Sequence, residues 1–285
     1  MSDSSNPQEP KIYLLPNLMT AGNLVCGFFA VLSIFYGILE ATTVEGGYVF
    51  ALAQPYYKQA IVLIFGSCIF DLLDGRLARL GGKESPFGRE FDSLADIISF
   101  GMAPSLLMAK AVLFPLDGVG WGLACIYVLC GAFRLAKFNC IAAHPDRDPD
   151  DHDFRGIPIP MAAGFISSLT FFIIYANEND RDLGPWKYVL AAAMLGLSLL
   201  MISNVRYPSF KKVGWKTRGT PLMIVALPIL VVATVRYYYF MPAVLFSLYL
   251  FYGLVIRPFL SKRLQRGIEE VTKEDEAVDE TEVET

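Results

Sequence analysis

The sequence predicts an all-α membrane protein, a bundle of about eight transmembrane helices. Three observations predict it. The composition is 54% hydrophobic and 13% aromatic with only 18% charged residues, which is too apolar for an ordinary soluble domain. The apolar residues fall into eight runs of about 18–24 residues, enough to cross a hydrocarbon layer about 30 Å thick. The charges are segregated between these runs and into the termini, whereas an amphipathic soluble helix spreads them along one face. Eight such runs leave too little polar surface to cover them as buried soluble helices.

The runs are placed at 18–39, 59–80, 91–114, 119–139, 157–176, 188–205, 222–239 and 241–260. Residues 1–12 are polar, and the first run is too long for the apolar part of a cleavable signal, so none is expected. The second run passes from an apolar stretch at 61–70 into Asp71 and Asp74, and so carries both acids at its end. The third opens at Phe91 and carries Asp92 and Asp96 in its first turns. The fourth closes on Arg134-Leu-Ala-Lys-Phe-Asn139 and the fifth opens on Ile157-Pro158-Ile-Pro160. Residues 261–285 are charged and rich in Glu, which predicts a disordered, solvated acidic tail. No internal repeat is evident.

Orientation follows from the basic residues, which favour the cytoplasmic side. The loops on the side of the four acids, with the termini, hold 19 of the 24 Lys and Arg. The other side has Lys58, Arg181, Lys187 and Arg236, and Lys110 lies within a run. Both termini and the acids are therefore expected in the cytoplasm, in a multi-pass protein of the cell (inner) membrane. The net charge of −4 gives no basis for a nucleic-acid partner. The five cysteines (Cys26, Cys68, Cys125, Cys130 and Cys140) are odd in number and contain no Cys-x-x-Cys pair. They read as small buried hydrophobes. The histidines, His144 and His152, lie in an acidic loop at 144–153; a solvated loop is the simpler reading and a secondary cation site the sharper one.

The chemistry concentrates between positions 71 and 96. Asp71, Asp74, Gly75, Ala78, Arg79, Gly88, Asp92 and Asp96 occur there at fixed spacing. Acids between two membrane runs are costly to desolvate and mark a functional site by default. On helices Asp71 and Asp74 are i and i+3, and Asp92 and Asp96 are i and i+4, so each pair shares a face. Two such faces set together form a cage of hard oxygen ligands suited to Mg²⁺ or Mn²⁺. The plainer alternative, acids paired with Arg76, Arg79 and Arg89 at a membrane surface, does not require small residues between them. A transporter binding its cation in the membrane is a third reading, but it favours midhelix acids and broken helices.

These eight positions resemble the signature of the CDP-alcohol phosphotransferases, membrane enzymes of phospholipid synthesis. The resemblance implies a six-helix core, here at 13–205, with additional helices at 206–260. It implies two divalent ions, with Asp71, Asp74 and Asp92 as principal ligands. Asp96 would stand on the acceptor side as a ligand, the general base, or both. It also implies direct displacement by an alcohol with release of CMP, and a homodimer. Pro16-Asn17-Leu-Met-Thr20 is similar to the family's Pro-Asn-x-x-Thr opening. Asn17 and Thr20, with Gly75, Ala78, Arg79 and Gly88, are thereby assigned to the CDP-lipid donor.

Three further blocks resemble the phosphatidylserine synthase branch: Asp92-Ser-Leu-Ala-Asp96-Ile-Ile-Ser-Phe-Gly101-Met-Ala-Pro104, Arg134 to Asn139, and Gly156-Ile-Pro158-Ile-Pro160-Met-Ala-Ala163. They imply CDP-diacylglycerol and L-serine as substrates in a bed of membrane lipid. Serine carries a carboxylate, which a guanidinium can hold bidentately. That makes Arg134 and Arg155, with Asn139, the acceptor-site candidates; the alternative for both arginines is lipid headgroup contact. Within the family, glycerol 3-phosphate or an inositol phosphate is the other acceptor class, and each needs a basic phosphate pocket.

Overall fold

The computed structural model describes residues 14–43, 48–80, 85–116, 118–142, 154–178, 184–203, 205–207, 234 and 236–256. The described residues are helical apart from one short extended pairing. Helix α1 is Leu14–Thr42 and α2 is Phe50–Leu80. They form an antiparallel hairpin, with Thr20 of α1 bonded to Asp74 near the far end of α2 and Gly37 packed against Ala53 and Tyr57 near its start. Next come α3 (Pro86–Asp96), α4 (Ala103–Ala111), α5 (Gly118–Ala142), α6 (Ile159–Glu178), α7 (Trp186–Ile202) and α8 (Met241–Phe251).

Four helical stretches among the described residues are long and apolar enough to cross a membrane: Leu14–Thr42, Pro86–Ala111, Gly118–Ile141 and Ile159–Ala176. Trp186–Ile202 and Met241–Leu254 are shorter apolar helices. The described residues are therefore those of a helical membrane protein. Six predicted runs overlap α1, α2, α3 to α4, α5, α6 and α7, and the last overlaps α8, but α2, read from the sequence as a span, is not among the four. The run at 222–239 lies mostly outside the described residues, as do the 144–153 loop and the acidic tail.

Two of the boundaries that differ from expectation do so for local reasons. The third helix starts at Pro86, not Phe91, because Ser85 caps it. The Ser85 hydroxyl accepts from the Gly88 amide at 3.0 Å, and Pro86 occupies the first turn, where no donor is missed. The second helix begins at Phe50 and carries Pro55 inside it, where the sequence reading began only after the proline.

Between α3 and α4 the helix widens into a π turn at Ile97–Met102 without breaking. The Ala103 amide reaches back to the Ile98 carbonyl. Pro104 follows and has no amide hydrogen to give the turn before it, a usual cause of such irregularity. Single π turns of this kind recur at functional sites.

Packing follows membrane rules. Phe28, Phe29, Leu129, Phe133 and Leu199 point outward and are at least half exposed, an apolar surface that matches lipid. Helix interfaces bury small polar residues, among them Ser33, Ser67, Ser99, Thr170 and Ser198, which let backbones approach. Several return their hydroxyl to their own helix, as Thr170 does to the Ile166 carbonyl at 2.9 Å. The extended pairing joins Phe154–Arg155 to Arg206–Tyr207, antiparallel. Gly156 follows with φ of +78°, donates to the Val205 carbonyl at 2.8 Å, and has the Met201 carbonyl where a Cβ would stand. Only glycine meets both demands.

The end of the bundle opposite the acids is aromatic. Tyr48 stacks on Phe114 with centroids 4.4 Å apart, and its hydroxyl lies 2.7 Å from that of Tyr57. Tyr36 stacks on Tyr56, and Tyr175 on Tyr239. Lys110 sits 4.3 Å over the Trp121 ring, Lys187 over Tyr188 and Arg236 over Tyr237. Lys110, Lys187 and Arg236 are thus held against aromatic faces, in the kind of belt that marks a membrane boundary.

The cysteines depart from expectation. All five are free, but only Cys130 is buried, while Cys125 and Cys140 are exposed. On a lipid-facing helix a small apolar side chain needs no burial in protein.

Candidate metal centre

Three helices each bring a stripe of polar residues to one place. On α1 these are Asn17, Thr20 and Asn23; on α2, Ser67, Asp71 and Asp74; on α3 and its π turn, Asp92, Asp96 and Ser99. The spacings of three and four keep each stripe on one face.

Carboxylate oxygens of Asp71, Asp74 and Asp92 all lie within 4.8 Å of one another. Asp74 is buried and accepts from the Thr20 hydroxyl at 3.1 Å. Asp96 stands beside this trio rather than in it. It is buried and accepts from the Asn23 amide at 3.0 Å. Both donors are neutral, so neither cancels the charge it meets. Close carboxylates in a low-dielectric setting repel one another strongly. The donor set is all oxygen and anionic, the kind that hard divalent ions select. The residues present therefore fit Mg²⁺ or Mn²⁺.

The signature glycines differ in what surrounds them. A Cβ on Gly75 would meet nothing within 4 Å, so the helix face beside Asp74 is open. A Cβ on Gly88 would come 3.1 Å from the Ser85 hydroxyl and 3.3 Å from the Asn17 side-chain oxygen. Gly88 thus lets α3 close on α1 and seats Asn17, whose side-chain nitrogen is buried without a hydrogen-bond partner.

Arg134, on α5, is buried and within electrostatic reach of Asp96. Its Nε has no hydrogen-bond partner. Asn139 is engaged elsewhere: its amide donates to the Ser93 hydroxyl at 3.0 Å and to Glu90 at 3.3 Å, tying α5 to α3. Ala78 and Arg79 lie in the last turns of α2, and Arg155 pairs with Arg206 through the backbone; the side chains of these three fall outside the described residues.

The structure thus brings together Asn17, Thr20, Asp71, Asp74, Gly88, Asp92 and Asp96, with Arg134 nearby. Sequence reasoning missed Asn23, which is fully buried. Its backbone carbonyl also accepts from Ser67 at 3.2 Å and from Ser99 at 2.9 Å. Gly27, one turn on, has Ser99 where its Cβ would be. The available signal was an amide in an apolar run three residues after Thr20.

Residues 13–199 match the model of the CDP-alcohol phosphatidyltransferase family. The chain is 35% identical over 254 residues to a CDP-diacylglycerol–serine O-phosphatidyltransferase of Helicobacter pylori strain 26695, covering 89% of this chain and 94% of that protein. It is 33% identical over 198 residues to the protein of the same name from Bacillus subtilis, covering 70% and 92%. It is also 32% identical over 206 residues to an archaetidylserine synthase of Methanothermobacter thermautotrophicus, covering 71% and 73%.

Proposed function

Since this chain belongs to the CDP-alcohol phosphatidyltransferase family, we propose that it transfers the phosphatidyl group of CDP-diacylglycerol to the hydroxyl of L-serine, releasing CMP and forming phosphatidylserine. One observation carries the chemistry: Asp71, Asp74 and Asp92 converge to within 4.8 Å beside the open helix face at Gly75. Relatives covered over most of their length bear the serine enzyme's name, which favours serine over glycerol 3-phosphate or an inositol phosphate.

Asp71, Asp74 and Asp92 would hold two divalent ions, Mg²⁺ or Mn²⁺. Bound there, such ions neutralise the donor pyrophosphate and stabilise the departing phosphate. Thr20 fixes the Asp74 carboxylate, and the missing side chain at Gly75 admits the donor along α2. Asn17, Ala78, Arg79 and Gly88 complete the donor side. Asp96 takes the proton of the serine hydroxyl as that oxygen attacks phosphorus, and the bond from phosphorus to the CMP oxygen breaks. Arg134 is buried with its Nε unpartnered near Asp96, which supports a role in holding the serine carboxylate. Arg155 and Asn139 are secondary candidates, Asn139 because its amide already serves Ser93 and Glu90.

The decisive assay is CMP release from CDP-diacylglycerol in detergent with serine, glycerol 3-phosphate or an inositol phosphate as acceptor. Release with serine alone is expected. Release only with a phosphorylated alcohol would reassign the acceptor. In the same assay Arg134→Ala should raise the serine KM about ten- to hundredfold with the donor KM nearly constant, the cost of one charged hydrogen bond.

The acids and both termini face the cytoplasm, with a catalytic unit at 13–205, further membrane helices at 206–260 and eight spans in all. A cysteine at position 82 or 212, in a chain cleared of native cysteines, should resist a membrane-impermeant thiol reagent in intact cells. One at position 179 should be labelled. The opposite pattern would invert the orientation.

A further inference from the structure

Asn23 occupies a place that helix packing alone does not require. Its side chain has no solvent exposure. The amide nitrogen donates to Asp96 at 3.0 Å, while the amide oxygen is buried without a hydrogen-bond partner. Burying an amide with one end unsatisfied is costly, and such groups are kept where they serve a site. The backbone of the same residue is clamped from two directions. Ser67 of α2 and Ser99 of the π turn both donate to its carbonyl, at 3.2 and 2.9 Å.

The π turn begins at Ile97, directly after Asp96. The single residue Asn23 therefore ties α1 to α2 through Ser67, to the π turn through Ser99, and to Asp96 through its side chain. A carboxylate facing three other acids is pushed to rotate away from them. A fixed donor on one oxygen opposes that rotation and leaves the other oxygen for the reaction.

We infer that Asn23 is a positioning residue for the transfer reaction, holding the Asp96 carboxylate in the orientation that receives the acceptor's proton. This rests on the role proposed above for Asp96. A misplacement of about 1 Å can cost about a hundredfold in rate, and the expected effects are scaled to that.

The test compares wild type with Asn23→Asp, Asn23→Ala and the exchange Asn23→Asp with Asp96→Asn, each purified in detergent. Three quantities are read: kcat and both KM values for CMP release, thermal midpoint, and Mn²⁺ binding by paramagnetic resonance. Asn23→Ala should lose about ten- to hundredfold in kcat with both KM values within about threefold and Mn²⁺ still bound. Asn23→Asp, equal in volume, replaces the amide donor with a further acidic group and should lose at least as much. The exchange restores an amide-to-carboxylate bond between the same two positions, so it should recover thermal midpoint but not kcat.

If Asn23→Ala keeps kcat within about threefold of wild type, or the exchange restores kcat, the positioning role is overturned. If Asn23→Ala does not fold, Asn23→Leu, near in volume and without a donor, is read in its place by the same criterion. Failure of the serine reading is seen separately, as wild type that releases no CMP with serine. The same variants are then read with whichever alcohol wild type accepts.

Discussion

Asn in place of Asp71, Asp74 or Asp92 should reduce turnover by at least about three orders of magnitude. Divalent ions typically contribute several kcal/mol of transition-state stabilisation in phosphoryl chemistry, and about 4 kcal/mol corresponds to about a thousandfold. Because carboxylate oxygens of all three lie within 4.8 Å of one another, loss of one degrades the shared cage rather than a single contact. EDTA should silence wild type, and Mg²⁺ or Mn²⁺ should restore it. Thermal stability supplies an independent sign. In chelator, Asp71→Asn should melt no lower than wild type, because a partly buried like charge has been removed. On adding Mn²⁺, wild type should gain stability by ligand linkage and the variant should gain less. Full activity in chelator would remove the metal chemistry altogether.

Asp96→Asn is expected to behave differently, with kcat falling about 10²–10⁴-fold while affinity for the CDP-linked donor stays near normal. That range is what a positioned general base supplies. The separation rests on geometry: Asp96 stands outside the trio and is held by Asn23 at 3.0 Å. The substituted amide keeps an oxygen toward Asn23, so the local packing should survive. Binding of the donor with metal, measured without serine, checks this. If donor binding is lost along with turnover, Asp96 is chiefly a metal ligand. If kcat stays near wild type, it is neither.

The sequence carried the acids and the membrane runs openly, because an aspartate in an apolar stretch is conspicuous and its spacing converts directly into a helix face. It could not say which face of α1 meets those acids. Thr20 was legible through a motif, whereas Asn23 needed the pairing of α1 with α2 and the π turn to acquire its meaning. The same holds for the glycines. Gly75 and Gly88 look alike as letters, yet one borders open space and the other admits Asn17 and Ser85. Asn139 shows the converse, a polar residue at a suggestive spot whose amide is used to join two helices. Cys125 and Cys140 read as buried yet are exposed, because burial in protein and exposure to lipid draw on the same apolarity.

From Thr20, beside the acids, to Tyr36, in the aromatic belt, α1 climbs sixteen residues, about 24 Å at 1.5 Å per residue. The acids therefore sit at one rim of the apolar slab, not in its middle. A donor with two acyl chains can reach that rim by drifting sideways, its tails remaining among other tails while only its headgroup enters the cage. The two reactants then arrive through spaces of different dimension. Serine comes from a volume, at so many moles per litre, and the nucleotide lipid comes from a sheet, at so many molecules per hundred neighbours. Diluting the membrane with inert lipid starves such an enzyme of one substrate and leaves the other untouched, while diluting the surrounding water does the reverse.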